Sequence, residues 1–181
     1  MFIFILSLLI ILLSIVVPVA SIIIILIIDM LYVNLVTRVP WAKVPVNNLE
    51  QILEHINLPA GSLVYDLGCG DGRFLFLAEK KGFKAVGYEL AFYPYLKALI
   101  HKILKSSNIK IENKDFFKAD VSGAKAIFIF LTASVMEKIG LKLKDNLRPG
   151  TSVVSYGFAV PGWPILKILD TSPSKTYLYL V

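Results

Sequence analysis

A short apolar stretch that runs into a glycine-rich turn constrains the fold of this chain more than any other feature. Residues 63–66 have the composition of a buried strand, and Gly68, Gly70 and Gly72 follow at alternate positions before a helix-like segment. Glycine has no Cβ, so it accepts positive φ angles and lets the backbone approach a ligand closely. A strand, a glycine turn and a helix in this order predict the start of a nucleotide-binding βαβ unit.

The acid Asp66 at the end of this strand narrows the choice of ligand. The spacing acid-x-Gly-x-Gly-x-Gly matches neither the dinucleotide fingerprint Gly-x-Gly-x-x-Gly nor a P-loop, which ends in Gly-Lys-Ser/Thr. A carboxylate in a half-buried crevice repels a pyrophosphate, whereas it attracts an amine or a sulfonium cation. The pattern predicts a site for S-adenosylmethionine, and the alternative is a generic or decayed nucleotide-binding unit.

A second acid, Glu89, ends the next predicted strand at 85–89. It lies about 20 residues beyond the glycines, the distance at which a carboxylate can accept hydrogen bonds from both ribose hydroxyls. After the third strand, Asp115 could bind an adenine amino group and Phe116 could pack against the ring, although a solvated acid beside a core aromatic fits the spacing equally. The predicted cofactor-binding residues are Asp66, Gly68, Cys69, Gly70, Gly72, Glu89, Asp115 and Phe116.

The residue types that carry redox, metal or hydrolytic chemistry are scarce. Cys69 is the single cysteine, which excludes a disulfide framework and a cysteine-rich metal site. Its place inside the glycine turn predicts a small residue near the ligand rather than a nucleophile. Neither His55 nor His101 is accompanied by a Gly-x-Ser-x-Gly motif, so hydrolase chemistry is unsupported. No metal is predicted.

The N-terminal segment from Phe2 to Ile28 is almost wholly apolar. As a helix rising about 1.5 Å per residue it exceeds a bilayer core of about 30 Å, so we predict a single transmembrane anchor. The alternative is a cleaved signal peptide, but its apolar region is usually about 7–15 residues long and follows a basic start. No Lys or Arg precedes Arg38. The predicted organisation is an anchor at 1–29, a Pro-containing interfacial linker at 30–45 and a soluble domain at 46–181.

The distribution of charge indicates how the anchor is oriented. All 19 Lys and Arg residues follow the apolar segment, so the positive-inside rule places the soluble domain on the cytoplasmic or equivalent side. Within the linker, Trp41 is expected at the membrane boundary or over the domain edge. The lysines are scattered without interleaved aromatic motifs, which disfavours a nucleic-acid partner. The net charge of +6 suits an anionic membrane surface instead.

The remaining pattern alternates strands and helices, which predicts an α/β fold with a parallel sheet covered on both faces. Helices are predicted at 47–56, 72–81, 94–105 and 134–147. A final antiparallel hairpin is predicted from 165–169 and 175–181, joined by a Ser-Pro-containing turn. The other strands are predicted at 63–66, 85–89, 109–112, 126–131 and 152–158.

Two motifs carry a resemblance to a known superfamily. Residues 66–73 together with Gly87-Tyr88-Glu89-Leu90 resemble the first two motifs of the seven-strand, class I methyltransferases that use S-adenosylmethionine. A narrower likeness is to the small membrane-anchored protein lysine methyltransferases, whose mitochondrial members modify the ATP synthase c subunit and the adenine nucleotide translocase. The segments that carry this narrower likeness are 39–45, 114–117, 132–136, 153–155 and 158–163.

The resemblance implies a Rossmann-like methyltransferase domain that methylates lysines of membrane-associated proteins. Together with their position after the fifth strand, it predicts that Tyr156, Phe158 and Trp163 wall the acceptor channel; the alternative is that they are core aromatics. The family tends to have Asn-Pro where this chain has Ala91-Phe92. Two other functions stay open: methylation of a lipid or quinone-like small molecule, and a membrane module that binds the cofactor without catalysis.

Overall fold

The computed structural model describes residues 2–37 and 42–181. Residues 38–41 of the predicted linker, which include Trp41, lie outside the described residues. The helices are α1 (Phe2–Thr37), α2 (Val46–His55), α3 (Arg73–Lys80), α4 (Phe92–Leu104) and α5 (Ala133–Asn146). The strands are β1 (Leu63–Leu67), β2 (Lys84–Glu89), β3 (Lys110–Asn113), β4 (Ala126–Ile129), β5 (Ser152–Tyr156), β6 (Lys167–Thr171) and β7 (Ser174–Leu180).

The strands form one seven-stranded sheet in the order β3-β2-β1-β4-β5-β7-β6. Neighbouring strands from β3 to β5 are parallel, and β7 runs antiparallel to both β5 and β6. The predicted α/β fold with its closing hairpin is therefore confirmed. The strand order reverses between β1 and β4, and in open sheets of this kind ligands bind outside the carboxyl ends of the strands at that point.

Each face of the sheet is covered by its own apolar cluster. On one face, α2 and α3 contribute Leu49, Ile52 and Phe74, and the Phe74 ring stacks on Phe128 of β4 with centroids 4.5 Å apart. On the other face, α5 contributes residues that include Met136, Ile139 and Leu143. Burial of β4 from both sides explains why its sequence, Ala126–Ile129, is a continuous apolar run rather than an alternating one.

Helix α1 stands outside these clusters. Within the described residues, one helix is long and apolar enough to cross a membrane; its span is Phe2–Val33, 32 residues with mean hydropathy 3.3. The helix continues to Thr37, so residues 30–37 of the predicted linker are helical. Its C-terminal part contacts α4, where the Asp29 carboxylate accepts a hydrogen bond from the Phe92 N–H at 2.8 Å.

Candidate active site

The glycine turn is tied to the end of β2 by backbone hydrogen bonds. The N–H groups of Gly68 and Cys69 both donate to the carbonyl of Tyr88, at 2.9 and 3.0 Å. Gly68, Gly70 and Gly72 have φ angles of 86°, 55° and 79°. This left-handed backbone favours glycine, which accounts for the three alternating glycines. The turn therefore holds a fixed position at the carboxyl end of the sheet.

The Glu89 carboxylate joins the turn to the end of β2. One oxygen accepts from the Gly70 N–H and the other from the Ala91 N–H, both at 2.8 Å. Burial raises the pKa of Glu89, and the hydrogen bonds from Ala91 and Gly70 act against that rise. A carboxylate offers about four lone-pair sites, so both oxygens keep acceptor capacity. Glu89 is thus oriented by the protein backbone while still able to accept hydroxyl groups.

Asp66 faces a cavity at the point where the strand order reverses. Burial, followed by the charges of Glu89 and Asp71, raises the pKa of Asp66 well above its usual range. A cation in the cavity would favour the ionised form, because opposite charges attract strongly in a poorly hydrated site. The cavity is lined by Ala42, Val44, Leu49, Asp66, Gly68, Cys69, Gly70, Asp71, Arg73, Phe74, Phe128 and Phe130.

Asp71, by contrast, is compensated within the protein. The Arg73 guanidinium contacts both oxygens of Asp71 at 3.0 and 2.9 Å, and the Lys97 ammonium lies 3.9 Å away. Burial raises the pKa of Asp71, but the hydrogen bonds and charge of Arg73, with Lys97, outweigh burial and leave the pKa below its usual value. The same guanidinium donates to the Val44 carbonyl at 3.2 Å. Arg73 therefore fastens the segment before α2 against the turn.

These observations test whether the site fits S-adenosylmethionine. Asp66 lines the cavity, and Glu89 is bonded to the glycine turn beside it. A ligand with a sulfonium and an amino group suits these two acids, because its positive charge favours their ionised forms against the effect of burial. The glycine turn brings backbone, without side-chain bulk, to the cavity at Gly68 and Gly70. Glu89 has acceptor capacity for ribose hydroxyls. The residues therefore fit this cofactor.

The Cys69 side chain is buried beneath the turn. Burial, followed by the charges of Asp66 and Glu89, raises the pKa of its thiol well above the usual value. The nucleophilic form of cysteine is the thiolate, so this environment disfavours attack by Cys69 and favours its interpretation as a small packing residue. Among the residues that the structure describes, no group of three or more His, Cys, Asp or Glu side chains is placed to hold a metal ion.

Asp115 and Phe116 lie at the same edge of the sheet as Glu89, after β3. The Lys114 N–H donates to the Glu89 carbonyl at 3.1 Å. Asp115 accepts from the Phe117 N–H at 2.9 Å, which caps the short 3-10 helix Phe116–Lys118. Neither Asp115 nor Phe116 belongs to the lining of the cavity described above. Their contact with adenine stays a prediction.

None of the three predicted acceptor residues belongs to the lining of this cavity. Tyr156 is 2% exposed, and its ring meets the edge of Phe130, which lines the cavity, with centroids 5.0 Å apart. Phe158 is 43% exposed. Trp163 is partly buried, with its ring perpendicular to that of Tyr179 at 5.7 Å. Their role at the acceptor stays a prediction. Phe130, which lines the cavity, is an aromatic residue that the sequence analysis missed.

Asn48 is a second residue that the sequence analysis missed. Its side-chain amide donates to the Thr171 carbonyl at 2.8 Å, the Ser172 carbonyl at 3.1 Å and the Tyr156 hydroxyl at 3.1 Å. These contacts join α2 to β5 and to the hairpin. The available signal was a polar residue on the helix face that also carries Ile52, since positions four apart share a face.

The sheet order, the antiparallel final hairpin and a glycine turn flanked by two acids define the class of seven-strand methyltransferases that use S-adenosylmethionine. The family described as the ANTKMT methyltransferase domain matches residues 66–167, more than half of the chain. The chain belongs to this family and is an S-adenosylmethionine-dependent protein-lysine methyltransferase.

Individual relatives agree with this assignment. A protein-lysine N-methyltransferase of Saccharolobus islandicus (strain REY15A) is 36% identical over 154 residues, which are 81% of this chain and 96% of the relative. The adenine nucleotide translocase lysine N-methyltransferase of Mus musculus is 29% identical over 145 residues, 78% of this chain and 63% of the relative. The chain thus spans less than two thirds of the length of that mouse protein.

A solved structure shows the same architecture with a product of the cofactor bound. The RNA methyltransferase from Salinibacter ruber, in complex with S-adenosyl-L-homocysteine, superposes with a TM-score of 0.74 and 28% identity. The match covers 77% of this chain and 94% of that one. The likeness extends over nearly the whole of the Salinibacter chain, and it supports S-adenosylmethionine as the cofactor here.

Proposed function

We propose that this protein is anchored in a membrane by α1 and transfers methyl groups from S-adenosylmethionine to lysine side chains of membrane-associated proteins. In this proposal residues 1–29 form the anchor, residues 30–45 connect it, and residues 46–181 form the catalytic domain on the cytoplasmic or equivalent side. The observation that carries it is the contact of an exposed apolar helix with the catalytic domain, at Asp29 and Phe92, three residues beyond Glu89.

The cofactor site follows from the geometry at the carboxyl ends of β1 and β2. Glu89 would accept the ribose hydroxyls, and Asp66 would face the sulfonium or the amino group of the methionine moiety. Gly68, Cys69 and Gly70 would lie along that moiety as backbone, while the positive φ of Gly72 lets α3 start beneath it. In the same proposal, Asp115 binds the adenine amino group and Phe116 packs against the ring.

The bound cofactor supplies a methyl group already activated by a cationic sulfur. With the cofactor bound, the lysine nitrogen would displace S-adenosylhomocysteine from the methyl group in line, so the protein's task is to align the acceptor and exclude water. The lysine must first lose a proton, and an apolar environment lowers the pKa of an ammonium group. Phe128 and Phe130 provide such an environment in the cavity wall. Tyr156, Phe158 and Trp163 would continue it toward the acceptor.

Two observations support a substrate in the membrane. The mouse relative is named for its action on the adenine nucleotide translocase. In this chain, no residue in the hydrophobic window of the apolar span Phe2–Val33 is buried. An enzyme held in a bilayer by such a helix meets lysines at the membrane surface more often than lysines of freely diffusing proteins.

The test is methyl transfer by the full chain reconstituted in lipid nanodiscs. Membranes from cells that lack the protein are incubated with the nanodiscs and S-adenosylmethionine carrying a labelled methyl group. Protein and lipid fractions are then separated, and labelled residues are identified by mass spectrometry. A Glu89→Ala variant in matched nanodiscs is the control for enzyme-dependent transfer.

Label in lysines of membrane proteins, absent with the control variant, supports the proposal. Label in the lipid fraction alone would show a lipid or quinone-like acceptor instead. Label confined to soluble proteins would contradict the membrane substrate. Binding of the cofactor without transfer to any fraction would favour a non-catalytic module.

A further inference from the structure

Helix α4 exposes a continuous apolar face. At 3.6 residues per turn, its exposed apolar side chains fall within about a third of the helix circumference. Ile103 and Leu104 are the most exposed, at 76% each. The face consists of Phe92, Tyr93, Leu96, Ile100, Ile103 and Leu104, which are all exposed; we call it the α4 apolar face.

The outward face of α4 differs from that of a normal surface helix. Pro94 and Ala98 of α4 are the residues buried toward the domain. A helix packed on a soluble domain usually turns its large apolar side chains inward and a polar face outward. Contiguous exposed apolar surface marks a site of contact with a membrane or a partner. Tyr95 and Leu99 also pack, partly buried, against the core, but α4 carries a second set of large apolar side chains on its outward face.

The position of α1 indicates what this surface meets. The Asp29 carboxylate of α1 accepts from the Phe92 N–H, where α4 begins. On α1, Leu26, Asp29 and Met30 are partly covered, although the surrounding residues of the helix are exposed. Their spacing places them on one helix face. The α4 apolar face therefore begins beside the apolar span.

The length of α1 sets the depth of this contact. The span of 32 residues, Phe2–Val33, exceeds the roughly 20 residues that cross a bilayer. A bilayer that covers the uncharged segment up to Ile28 leaves Asp29 at the level of the lipid headgroups. The start of α4 then lies at the same level.

The charges on α4 suit the same surroundings. The helix contains Lys97 and Lys102, with Lys105 as its C-cap residue, and no acidic residue between Phe92 and Leu104. Helices that lie in a membrane interface combine a large apolar face with lysines beside it. Basic side chains near the surface are attracted to anionic lipids.

We propose that α4 lies in the bilayer interface, with its apolar face inserted at the boundary between headgroups and acyl chains. This inference rests on the proposed anchoring by α1 and adds a second attachment to it. Because α4 begins three residues after Glu89, the attachment fixes the cofactor end of the sheet close to the membrane surface. Acceptor lysines are then those exposed at that surface rather than deep in a soluble domain.

The test measures the depth of single side chains in the full chain, reconstituted in nanodiscs of phosphatidylcholine and phosphatidylglycerol. An environment-sensitive fluorophore is attached to Ile103→Cys, and quenching by spin-labelled lipids is recorded. Leu141→Cys is the matched control, because Leu141 is 63% exposed on α5, across the sheet from α4. Ile10→Cys reports whether α1 is inserted. Cys69 is buried and stays unlabelled.

We expect lipid quenching at position 103 to be several-fold stronger than at position 141, with position 10 quenched most. Equal, weak quenching at 103 and 141 with strong quenching at 10 would overturn the inference about α4 and leave the anchor intact. Weak quenching at position 10 would overturn the anchoring and this inference with it. Disulfide cross-links between two copies at position 103, without lipid quenching, would show that a second chain covers the face.

Discussion

The proposed cofactor end of the site and its proposed acceptor side are assembled over different distances along the chain. At the cofactor end, the Gly70 N–H and the Glu89 carboxylate are 19 residues apart and belong to one βαβ unit. At the acceptor side, Asn48 reaches the Thr171 carbonyl across 123 residues and the Tyr156 hydroxyl across 108. The cofactor end is thus a local structure, whereas the acceptor side needs most of the domain.

This difference predicts that the two ends respond differently to substitution. Changes at the cofactor end should act on ligand affinity, because the backbone there is held by near neighbours. Changes at the acceptor side should act on turnover, because alignment of the lysine depends on elements that meet only in the folded domain.

The largest effect is expected at the cofactor end. Glu89→Ala removes the proposed ribose acceptor, and hydrogen bonds to charged groups contribute about 1.5–3 kcal/mol each. Two such bonds correspond to a loss of affinity of at least about 100-fold, measured by calorimetry with S-adenosylmethionine. Glu112→Gln is the control, since Glu112 lies on β3 and pairs with Lys110. Unchanged affinity in Glu89→Ala would place the cofactor elsewhere.

On the acceptor side, Trp163→Ala tests whether that region acts on turnover alone. We expect turnover to fall by about 100-fold, the order seen when a reacting group is misplaced by about 1 Å. The affinity for S-adenosylmethionine should stay close to that of the unchanged protein. A parallel loss of affinity and thermal stability would instead make Trp163 a core residue, consistent with its packing on Tyr179.

Gly87 on β2 tests the packing beneath the cofactor end. A Cβ there would lie 2.5 Å from Leu75 Cδ1 and 2.7 Å from the Cys69 sulfur. Gly87→Ala should therefore lower the free energy of unfolding by about 1–3 kcal/mol, as overpacking usually does. Gly123→Ala is the control, because its nearest contact would be an ordinary 3.6 Å to Leu63. Equal melting temperatures for the two variants would contradict this packing.

Substitution of Asp66 is expected to give the smallest effect, and it tests ligand binding and folding stability together. Its pKa is raised in the folded state, whereas the unfolded value is about 3.9. Below about pH 4 the carboxyl is protonated in both states; above it, the unfolded state ionises first, so stability falls until the folded pKa is passed.

Asp66→Asn should remove this loss. We expect the ligand-free variant to melt higher than the unchanged protein at pH 8 and at nearly the same temperature at about pH 3, where the carboxyl is protonated in both states. It should also bind S-adenosylmethionine more weakly, with a smaller loss for S-adenosylhomocysteine, which lacks the sulfonium charge. A difference in melting temperature that is the same at both pH values would refute the titration of Asp66.

The fold was more predictable from the sequence than the acceptor side was, because the acceptor side depends on contacts between residues far apart along the chain. Strands, helices and their order follow from local periodicity, and the structure differs mainly at strand ends: β4 stops at Ile129 and β5 at Tyr156, each two residues early. After β5, Gly157 adopts a φ of 88°, which turns the chain out of the sheet.

The contacts that sequence reasoning missed are those between remote segments. Arg73 binds the Val44 carbonyl, Asn48 binds the hairpin, and Phe130 meets Tyr156 at the cavity wall. No local sequence pattern predicts which remote group such a residue will contact. The glycine turn and its two flanking acids, by contrast, lie within one βαβ unit, so their arrangement could be predicted from the local sequence.

The hydrogen bond between Asp29 and the Phe92 N–H has a consequence for how the enzyme would meet its substrates. A domain joined to a membrane helix by a flexible linker alone can swivel, and every encounter must then restrict its rotation before a lysine can react. Contact between α1 and α4 removes much of that rotational freedom when the protein folds. With α1 as the proposed anchor, the entropy of orientation would be lost once, in folding, rather than at each encounter. A protein passing in the plane of the bilayer would then meet the same edge of the sheet each time.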